Sequence, residues 1–181
     1  MNGFQIKSLL KKLTVSNSFF SGVYTDKILP FEIIEKDKAV IIVNISFRNK
    51  KIGHWVVMYI YEKTLYFFDS YAKKPQFYGG NIDIFCKLFQ GAIVFPVKKS
   101  IQEKGSFVCG GYSLYFAECI FKNMSISETM SIFSQKKPFE NDVFIKNFVY
   151  SLIGSDKICK PQFCYRYMFN SDCNESCPCV K

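Results

Sequence analysis

Four residues of this chain have side chains that together can support thiol chemistry. His54 is the only histidine among 181 residues. It must therefore supply any imidazole base, and sites that need several histidines are excluded. Asp69 can fix the tautomer of that imidazole and stabilise its protonated form. Cys109 becomes a nucleophile when it ionises, and the neutral amide of Gln102 can stabilise a developing oxyanion.

Each of these residues also has a simpler structural interpretation. A single histidine on a strand is more often a packing residue, and an aspartate that ends a strand before Ser70 often forms a turn. A cysteine next to two glycines is commonly a small buried side chain, and a lone glutamine is commonly a surface residue. The catalytic interpretation is favoured because all four occur in order, each on the kind of element that its role requires.

The histidine and the aspartate fall on neighbouring predicted strands. Residues 52–61 and 64–69 are rich in β-branched and aromatic side chains, a composition typical of strands. Only two residues separate them, which predicts a hairpin. Antiparallel pairing places the start of one strand beside the end of the other. We therefore expect His54 and Asp69 to lie side by side at one end of the hairpin.

The cysteine falls at the predicted start of a helix. Residues 109–122 form a mostly apolar segment that predicts a buried helix, entered from a polar loop that carries Gln102. The N-terminus of a helix favours a thiolate through its dipole and its unpaired N–H groups. Gly110 and Gly111, which follow the cysteine, would leave room for a substrate backbone.

The remaining elements complete an α+β pattern. Strands concentrate in the middle of the chain and helices lie at both ends, which indicates an α+β fold. Besides the elements above, the sequence predicts helices at 2–13, 82–89, 127–133 and 139–153, strands at 39–47 and 92–97, and loops at 16–27, 71–80 and 98–106. Pro96 places the strand at 92–97 at an edge of the sheet or near its own end.

Composition excludes several classes of protein. The chain is 49% hydrophobic, too apolar for a disordered protein. Its longest apolar stretches are too short to cross a membrane, and its first residues lack the order of a signal peptide. We therefore expect a monomeric protein that is not secreted and not membrane-bound, with most of its cysteines reduced. The net charge of +9 fits attraction to nucleic acid, and it equally fits a solvated lysine surface produced by biased codons.

The C-terminal segment differs from the rest of the chain. Residues 1–155 are predicted to form one domain, and residues 156–181 form a tail that holds five of the eight cysteines. These are Cys159, Cys164, Cys173, Cys177 and Cys179. Their spacing contains no CxxC pair, the usual signature of structural zinc, so no metal site is predicted. Free thiols, disulfides in an oxidised particle and zinc remain the three alternatives for the tail.

Several motifs resemble the adenovirus-type cysteine endopeptidase family (adenain), within the wider group of ubiquitin-like-protein proteases. The motifs that carry the resemblance are Gly53-His54-Trp55, Tyr66-Phe67-Phe68-Asp69-Ser70, and Gln102 followed by Cys109-Gly110-Gly111. The segment from Phe20 to Lys27 with Pro30-Phe31, and Val43-Asn44 with Arg48, look like the adenoviral sequence upstream of the catalytic histidine. The resemblance covers about residues 4–122.

The resemblance implies a fold and a set of roles. The fold is a central mixed sheet flanked by helices. Cys109 would be the nucleophile, His54 the general base and then acid, Asp69 its orienting partner and Gln102 an oxyanion donor. Trp55, Gly110 and Gly111 would line the substrate cleft, although a tryptophan is also a common core residue. The resemblance further implies a viral or virus-derived maturation protease that cleaves precursor proteins at Gly-Gly or Gly-Ala sites. Its expected location is the virion and the nucleus or cytoplasm of the host cell, and its activators would be DNA, a viral peptide or both.

Two departures from the adenoviral pattern keep other functions open. Adenoviral enzymes usually have glutamate where this chain has Asp69, whereas aspartate is common in the cellular relatives. The adenoviral cysteine that tethers the activating peptide by a disulfide corresponds to about Gly91, and the nearest thiol is Cys86. One alternative is therefore a protease that removes ubiquitin or a ubiquitin-like modifier. Another is an inactive DNA-binding virion protein on the same scaffold.

Overall fold

A five-stranded mixed sheet forms the centre of the protein, and its strands lie side by side in the order of the sequence. The computed structural model describes residues 1–13, 20–46, 53–89, 92–94 and 99–154. The strands are β1 (Phe20–Thr25), β2 (Lys38–Ile45), β3 (His54–Tyr61), β4 (Thr64–Phe68) and β5 (Ala92–Val94). The two outer pairs are parallel and the two inner pairs are antiparallel. The predicted α+β class with a mixed sheet is confirmed.

Helices cover both faces of this sheet. They are α1 (Gly3–Leu13), α2 (Pro75–Tyr78), α3 (Gly80–Lys87), α4 (Cys109–Phe121), α5 (Ile126–Ser131) and α6 (Pro138–Ile153), with a short 3-10 helix at Phe31–Glu35. One core joins α1, α4 and α6 to one face of the sheet, through residues such as Ile6, Phe116 and Ile145. A second core joins α3 and the 3-10 helix to the opposite face, through residues such as Phe85 and Ile33. None of the helices described is long and apolar enough to span a membrane.

Strand periodicity explains why one strand serves both cores. Along β3, Val57 belongs to the core with α4, and its neighbours Val56 and Met58 belong to the core with α3. Successive side chains of a strand point to opposite faces, so a continuous apolar strand predicts a sheet that is covered on both sides. The first residue of α4, Cys109, shares its core with Trp55 of β3. The central helix therefore begins beside the start of the strand that carries His54.

The predicted hairpin between β3 and β4 is confirmed. Tyr61 pairs with Thr64, and the intervening residues Glu62 and Lys63 have φ values of 47° and 62°. Two consecutive left-handed residues produce the twist that a two-residue hairpin needs. This short turn fixes the register of the two strands, and the register places the candidate catalytic residues.

Two predictions of local structure were wrong. Residues 20–25 were predicted as part of a loop, yet they form β1, an edge strand parallel to β2. A short parallel strand that contains glycine has weak periodicity, and its pairing with β2 stabilises it. Residues 75–78 were also predicted as loop and form α2, with Pro75 in its first turn, a position that proline favours.

The other predicted elements that fall on described residues are present within a few residues of their expected bounds. The strand predicted at 92–97 is β5, at the edge of the sheet, where its described part is Ala92–Val94. Pro96 lies outside the described residues, as does the whole cysteine-rich tail at 156–181. The division into a domain and a tail stays a prediction.

Candidate active site

A cleft of about 960 Å³ opens at the end of the sheet where β3 begins and α4 starts. His54, Trp55, Gln102 and Cys109 all line it. Asp69 lies next to it and is almost completely buried, with 2% of its surface exposed. The fold therefore gathers at one place the four residues singled out from the sequence, although they come from three separate parts of the chain.

The histidine and the aspartate are hydrogen-bonded. Nε2 of His54 lies 2.7 Å from Oδ1 of Asp69, and both side chains are buried. The described ladder between β3 and β4 ends at the pair Val57 and Phe68, so one further step in the same register would set Asp69 opposite Val56. His54 and Asp69 are thus diagonal neighbours on the same face of the sheet. Diagonal neighbours are within reach of long side chains.

Asp69 accepts three further hydrogen bonds. The backbone N–H of Tyr71 donates to Oδ1 at 2.7 Å and that of Lys73 donates to Oδ2 at 3.1 Å. The hydroxyl of Tyr78 donates to Oδ2 at 2.5 Å. Both carboxylate oxygens are therefore held by two donors each, which fixes the orientation of the group that faces His54.

Cys109 is the first residue of α4, and 8% of its surface is exposed. Burial on its own would raise the pKa of this thiol. The hydrogen bond and positive charge of His54 and a hydrogen bond from the backbone of Trp55 outweigh it, so the net pKa is below the ordinary thiol value. A lowered pKa increases the fraction of the thiol that is present as the reactive thiolate.

The pKa of His54 shifts in the opposite direction. Burial would lower it, but hydrogen bonds to Asp69 and Cys109 and their negative charges raise it to about 9. Because Nε2 faces Asp69, Nδ1 is the nitrogen available to the thiol. A lowered thiol pKa beside a raised imidazole pKa favours the thiolate–imidazolium form of the pair. Such a pair can attack a carbonyl carbon and then supply a proton to the leaving group.

Gln102 is buried, with its amide fixed at both ends. Its Oε1 accepts a 2.6 Å hydrogen bond from Oγ of Ser70. Its Nε2 donates towards the carbonyl oxygen of Ser106 at 2.8 Å, Oγ of Ser106 at 3.0 Å and the hydroxyl of Tyr71 at 3.1 Å. Two N–H groups serve three acceptors, and two of these are hydroxyls that can rotate to other partners. One N–H could therefore donate to an oxyanion in the cleft in place of a hydroxyl that moves away, without movement of the amide itself.

Of the three residues that were predicted to line a substrate cleft, only Trp55 lines the cleft that contains Cys109. Its Nε1 donates to the carbonyl oxygen of Met1 at 3.1 Å. Gly110 and Gly111 are buried in the first turn of α4 and are not among the described residues that line the cleft. A Cβ atom at Gly110 would lie 2.8 Å from Cδ1 of Ile6. The absence of a side chain there lets α1 pack against α4.

Sequence analysis did not identify Ser70, Tyr71 and Tyr78 as members of the site. Ser70 and Tyr71 directly follow the aspartate, and their proximity along the chain was a signal that could have been used. No comparable signal marked Tyr78, because it reaches Asp69 only through the short helix α2, which was predicted as loop. Both tyrosine rings pack near the imidazole of His54, with ring centroids at 5.0 Å for Tyr71 and 6.1 Å for Tyr78.

The other cysteines within the described part of the chain have different surroundings. Cys86 and Cys119 are each 2% exposed and are free thiols. Burial, together with the charge of Asp83, raises the pKa of Cys86 to about 12. A thiol with these properties is poorly suited to disulfide exchange. No group of three or more potential metal ligands from histidine, cysteine, aspartate or glutamate occurs among residues 1–13, 20–46, 53–89, 92–94 and 99–154.

Taken together, the fold and the site define an α+β protein with a buried Cys–His–Asp arrangement at the start of its central helix. The chain matches no family model and no curated protein. Among solved structures it is similar to the selenomethionine form of the ASFV pS273R protease, with a TM-score of 0.56 and 14% identity. The alignment covers 76% of this chain and 64% of that protease, so the chain corresponds to less than two thirds of the length of that structure. At this identity the likeness is one of fold.

Proposed function

We propose that this protein is a cysteine endopeptidase in which Cys109 is the nucleophile. The observation that carries the proposal is the geometry of three side chains. The thiol of Cys109 at the start of α4 shares a cleft with His54, and His54 lies 2.7 Å from Asp69. The thiol and the imidazole have pKa values displaced in opposite directions. Similarity of fold to a viral protease supports the same class of reaction.

The proposed reaction begins with the thiolate of Cys109 and the imidazolium of His54. The thiolate attacks the carbonyl carbon of the substrate, a C–S bond forms, and the carbonyl electron pair moves onto the oxygen. In this proposal the backbone N–H of Cys109 and the amide of Gln102 would stabilise the oxyanion. As the oxyanion collapses, the C–N bond breaks and His54 gives its proton to the departing amine.

The second half of the reaction releases the enzyme. Neutral His54 removes a proton from a water molecule, and the resulting hydroxide attacks the thioester carbon. The C–S bond breaks, the acid product leaves, and the thiolate–imidazolium pair is restored. Throughout the cycle Asp69 orients the imidazole and stabilises its charged form, and it does not itself gain a proton.

We further propose a maturation role, in which viral or virus-derived precursor proteins are cleaved at Gly-Gly or Gly-Ala sites in the virion or the host cell. The motif resemblance supports this role, and Trp55 lines the cleft beside Cys109. Removal of ubiquitin or a ubiquitin-like modifier requires the same catalytic residues and is the alternative. An inactive DNA-binding protein is disfavoured, because the full set His54, Asp69, Gln102 and Cys109 is present and assembled.

Peptide cleavage by a variant without the nucleophile tests the proposal. The unmodified protein and Cys109→Ala are each incubated with a Gly-Gly-containing peptide and with ubiquitin and ubiquitin-like conjugates. We expect cleavage of the peptide by the unmodified protein only, with circular dichroism unchanged in the variant. Cys119→Ala, a change of the same type on the same helix, should keep its activity. Full activity of Cys109→Ala would rule out the mechanism, and preferential cleavage of the conjugates would favour the alternative.

Activation by DNA or by a peptide belongs to the same proposal. The net charge of +9 supports a duplex DNA activator, whose binding would weaken steeply with salt. Turnover is therefore measured during DNA titrations at two salt concentrations. The absence of both stimulation and salt dependence would exclude a cofactor role for DNA. A peptide activator would have to bind without a disulfide to Cys86, since that thiol is buried.

A further inference from the structure

Tyr78 contacts both partners of the hydrogen bond between His54 and Asp69. Its hydroxyl donates to Oδ2 of Asp69 at 2.5 Å, and its ring lies nearly parallel to the imidazole, with an interplanar angle of 22°. We propose that Tyr78 is a positioning residue, which orients the carboxylate of Asp69 and thereby maintains the thiolate–imidazolium pair. This inference rests on the proposed function and assigns a role to a residue outside the Cys–His–Asp arrangement.

The hydrogen bonds of Asp69 show why the Tyr78 hydroxyl matters. Oδ1 receives His54 and the Tyr71 N–H, both at 2.7 Å. Oδ2 receives the Tyr78 hydroxyl at 2.5 Å and the Lys73 N–H at 3.1 Å. Without the hydroxyl, Oδ2 would keep only the longest of the four contacts. The carboxylate could then rotate about its Cβ–Cγ bond and move Oδ1 away from His54.

The ring of Tyr78 is itself held in place. It packs against Phe67 of β4 with centroids 6.3 Å apart and edge-to-face against Phe77 with centroids 5.2 Å apart. Tyr78 is the last residue of α2, and the next two residues, Gly79 and Gly80, have φ values of 60° and 51°. These left-handed conformations favour glycine, and they turn the chain directly from α2 into α3. The backbone therefore fixes the point from which the phenol reaches Asp69.

The phenol is a donor across the working pH range. Burial raises the pKa of Tyr78, and the negative charge of Asp69 raises it further, so the hydroxyl keeps its proton. The other titratable groups around the imidazole are Asp69, Cys109 and Tyr71, and the amino group of Met1 lies near Cys109. Tyr71 also contacts both Asp69 and His54, but it reaches Asp69 through its backbone N–H. Tyr78 differs because its side chain makes both the hydrogen bond to Asp69 and the ring contact to His54.

The substitution Tyr78→Phe removes the hydroxyl and keeps the ring. Because His54 is the only histidine, its ring C–H resonance in NMR spectra reports the titration of this residue alone. In the unmodified protein we expect a midpoint well above the usual value and near 9. In Tyr78→Phe we expect it to fall by about 0.5 to 1 pH unit, a fraction of the strength of a hydrogen bond to a charged group.

Alkylation of Cys109 by iodoacetamide provides a second readout that needs no substrate. Its rate follows the thiolate, so a weaker ion pair should move the acid limb of the rate profile upward by a similar amount in Tyr78→Phe. Mass spectrometry of the modified peptide separates Cys109 from the other thiols. Tyr61→Phe removes a hydroxyl at the opposite end of β3 and serves as the matched control, which should leave both profiles unchanged.

The two proposals fail in different ways. If His54 titrates near its ordinary value and Cys109 alkylates as an ordinary thiol in the unmodified protein, the proposed function is overturned. If the unmodified protein has the ion pair and Tyr78→Phe behaves like Tyr61→Phe, only the role of Tyr78 is overturned. A rise of the His54 midpoint in Tyr78→Phe would also overturn it, because Tyr78 would then compete with His54 for the charge of Asp69.

Discussion

Asp69 and the backbone N–H of Tyr71 form a 2.7 Å hydrogen bond, so the aspartate closes a turn with the same oxygen that faces His54. The backbone carbonyl of Asp69 also accepts from the N–H of Ala72, whose φ of 57° is left-handed. Turn formation by aspartate and orientation of a histidine are usually considered alternatives. Here one carboxylate does both, and the turn supplies the rigidity that orientation requires.

The first prediction concerns that carboxylate. Asp69→Asn keeps the shape of the side chain but removes its charge. Its NH₂ group would also face a group that donates a hydrogen bond to Asp69 in the unmodified protein, so that two donors would oppose each other. We expect the NMR midpoint of His54 to fall below the value of about 9. Loss of one charge-assisted hydrogen bond, about 1.5–3 kcal/mol, should lower kcat/KM by roughly 10- to 100-fold. This loss is smaller than that in Cys109→Ala. Asp83→Asn on α3 is the control, and equal activity of the two variants would contradict a role for Asp69.

The second prediction is the pH dependence of cleavage. Activity requires ionised Cys109 and protonated His54. It should therefore rise with pH through the lowered pKa of the thiol and fall again as pH passes about 9, where the imidazolium loses its proton.

The free energy of unfolding should also decrease as pH rises. Because the pKa of His54 is raised by folding, its contribution is complete below about 6.5 and disappears as pH rises through about 9. Rate profiles and urea unfolding at pH 7 and pH 10 measure the two effects. A rate that already begins to fall near pH 7, well below the imidazole pKa of about 9, would contradict the assignment.

The third prediction concerns Ser70, which links the segment of Asp69 to the loop of Gln102. Its hydroxyl donates to Oε1 of Gln102 at 2.6 Å, and its carbonyl oxygen accepts from the N–H groups of Ile101 and Gln102. Ser70→Ala leaves a buried amide oxygen without this donor, a loss of about 1–3 kcal/mol in stability. It should also lower kcat by roughly tenfold with little change in KM, since orientation of the oxyanion donor is lost. Ser131→Ala on α5 provides an exposed control. An unchanged kcat would show that Gln102 is oriented by its other contacts.

The hairpin of β3 and β4 shows which part of the candidate site can be predicted from the sequence. The strand-like composition of β3 and β4 and the two-residue turn between them predict the proximity of His54 and Asp69, because the length of the loop sets the register of a hairpin. The diagonal offset between the two residues could not be predicted in the same way. It depends on how the chain turns after Phe68, where a left-handed alanine and hydrogen bonds to side chains decide the path.

Contacts between distant segments were the least predictable part of the site. The helix that begins at Cys109 was predicted from its apolar composition, but its packing partner was not. Gly110 illustrates this. Two glycines after the proposed nucleophile suggested access for a substrate, whereas Gly110 faces Ile6 of α1. Tyr78 is a second case, because a four-residue helix has no periodicity from which to predict it. Tertiary packing decides both positions, and single-segment patterns contain no information about it.

The last prediction tests the packing of α1 against α4 through Gly110. A Cβ atom there would lie 2.8 Å from Cδ1 of Ile6 and 3.3 Å from both Cβ of Met1 and Cδ1 of Trp55. Gly110→Ala should therefore force the end of the fully buried Ile6 side chain to move, and should lower the free energy of unfolding by about 1–3 kcal/mol, despite the better helix propensity of alanine. Because Trp55 lies between this contact and the cleft, activity should fall as well. Gly3→Ala is the matched control, since its Cβ would meet Trp55 at an ordinary 3.7 Å. Urea unfolding of both variants measures the difference, and equal stability would show that α1 moves aside without cost.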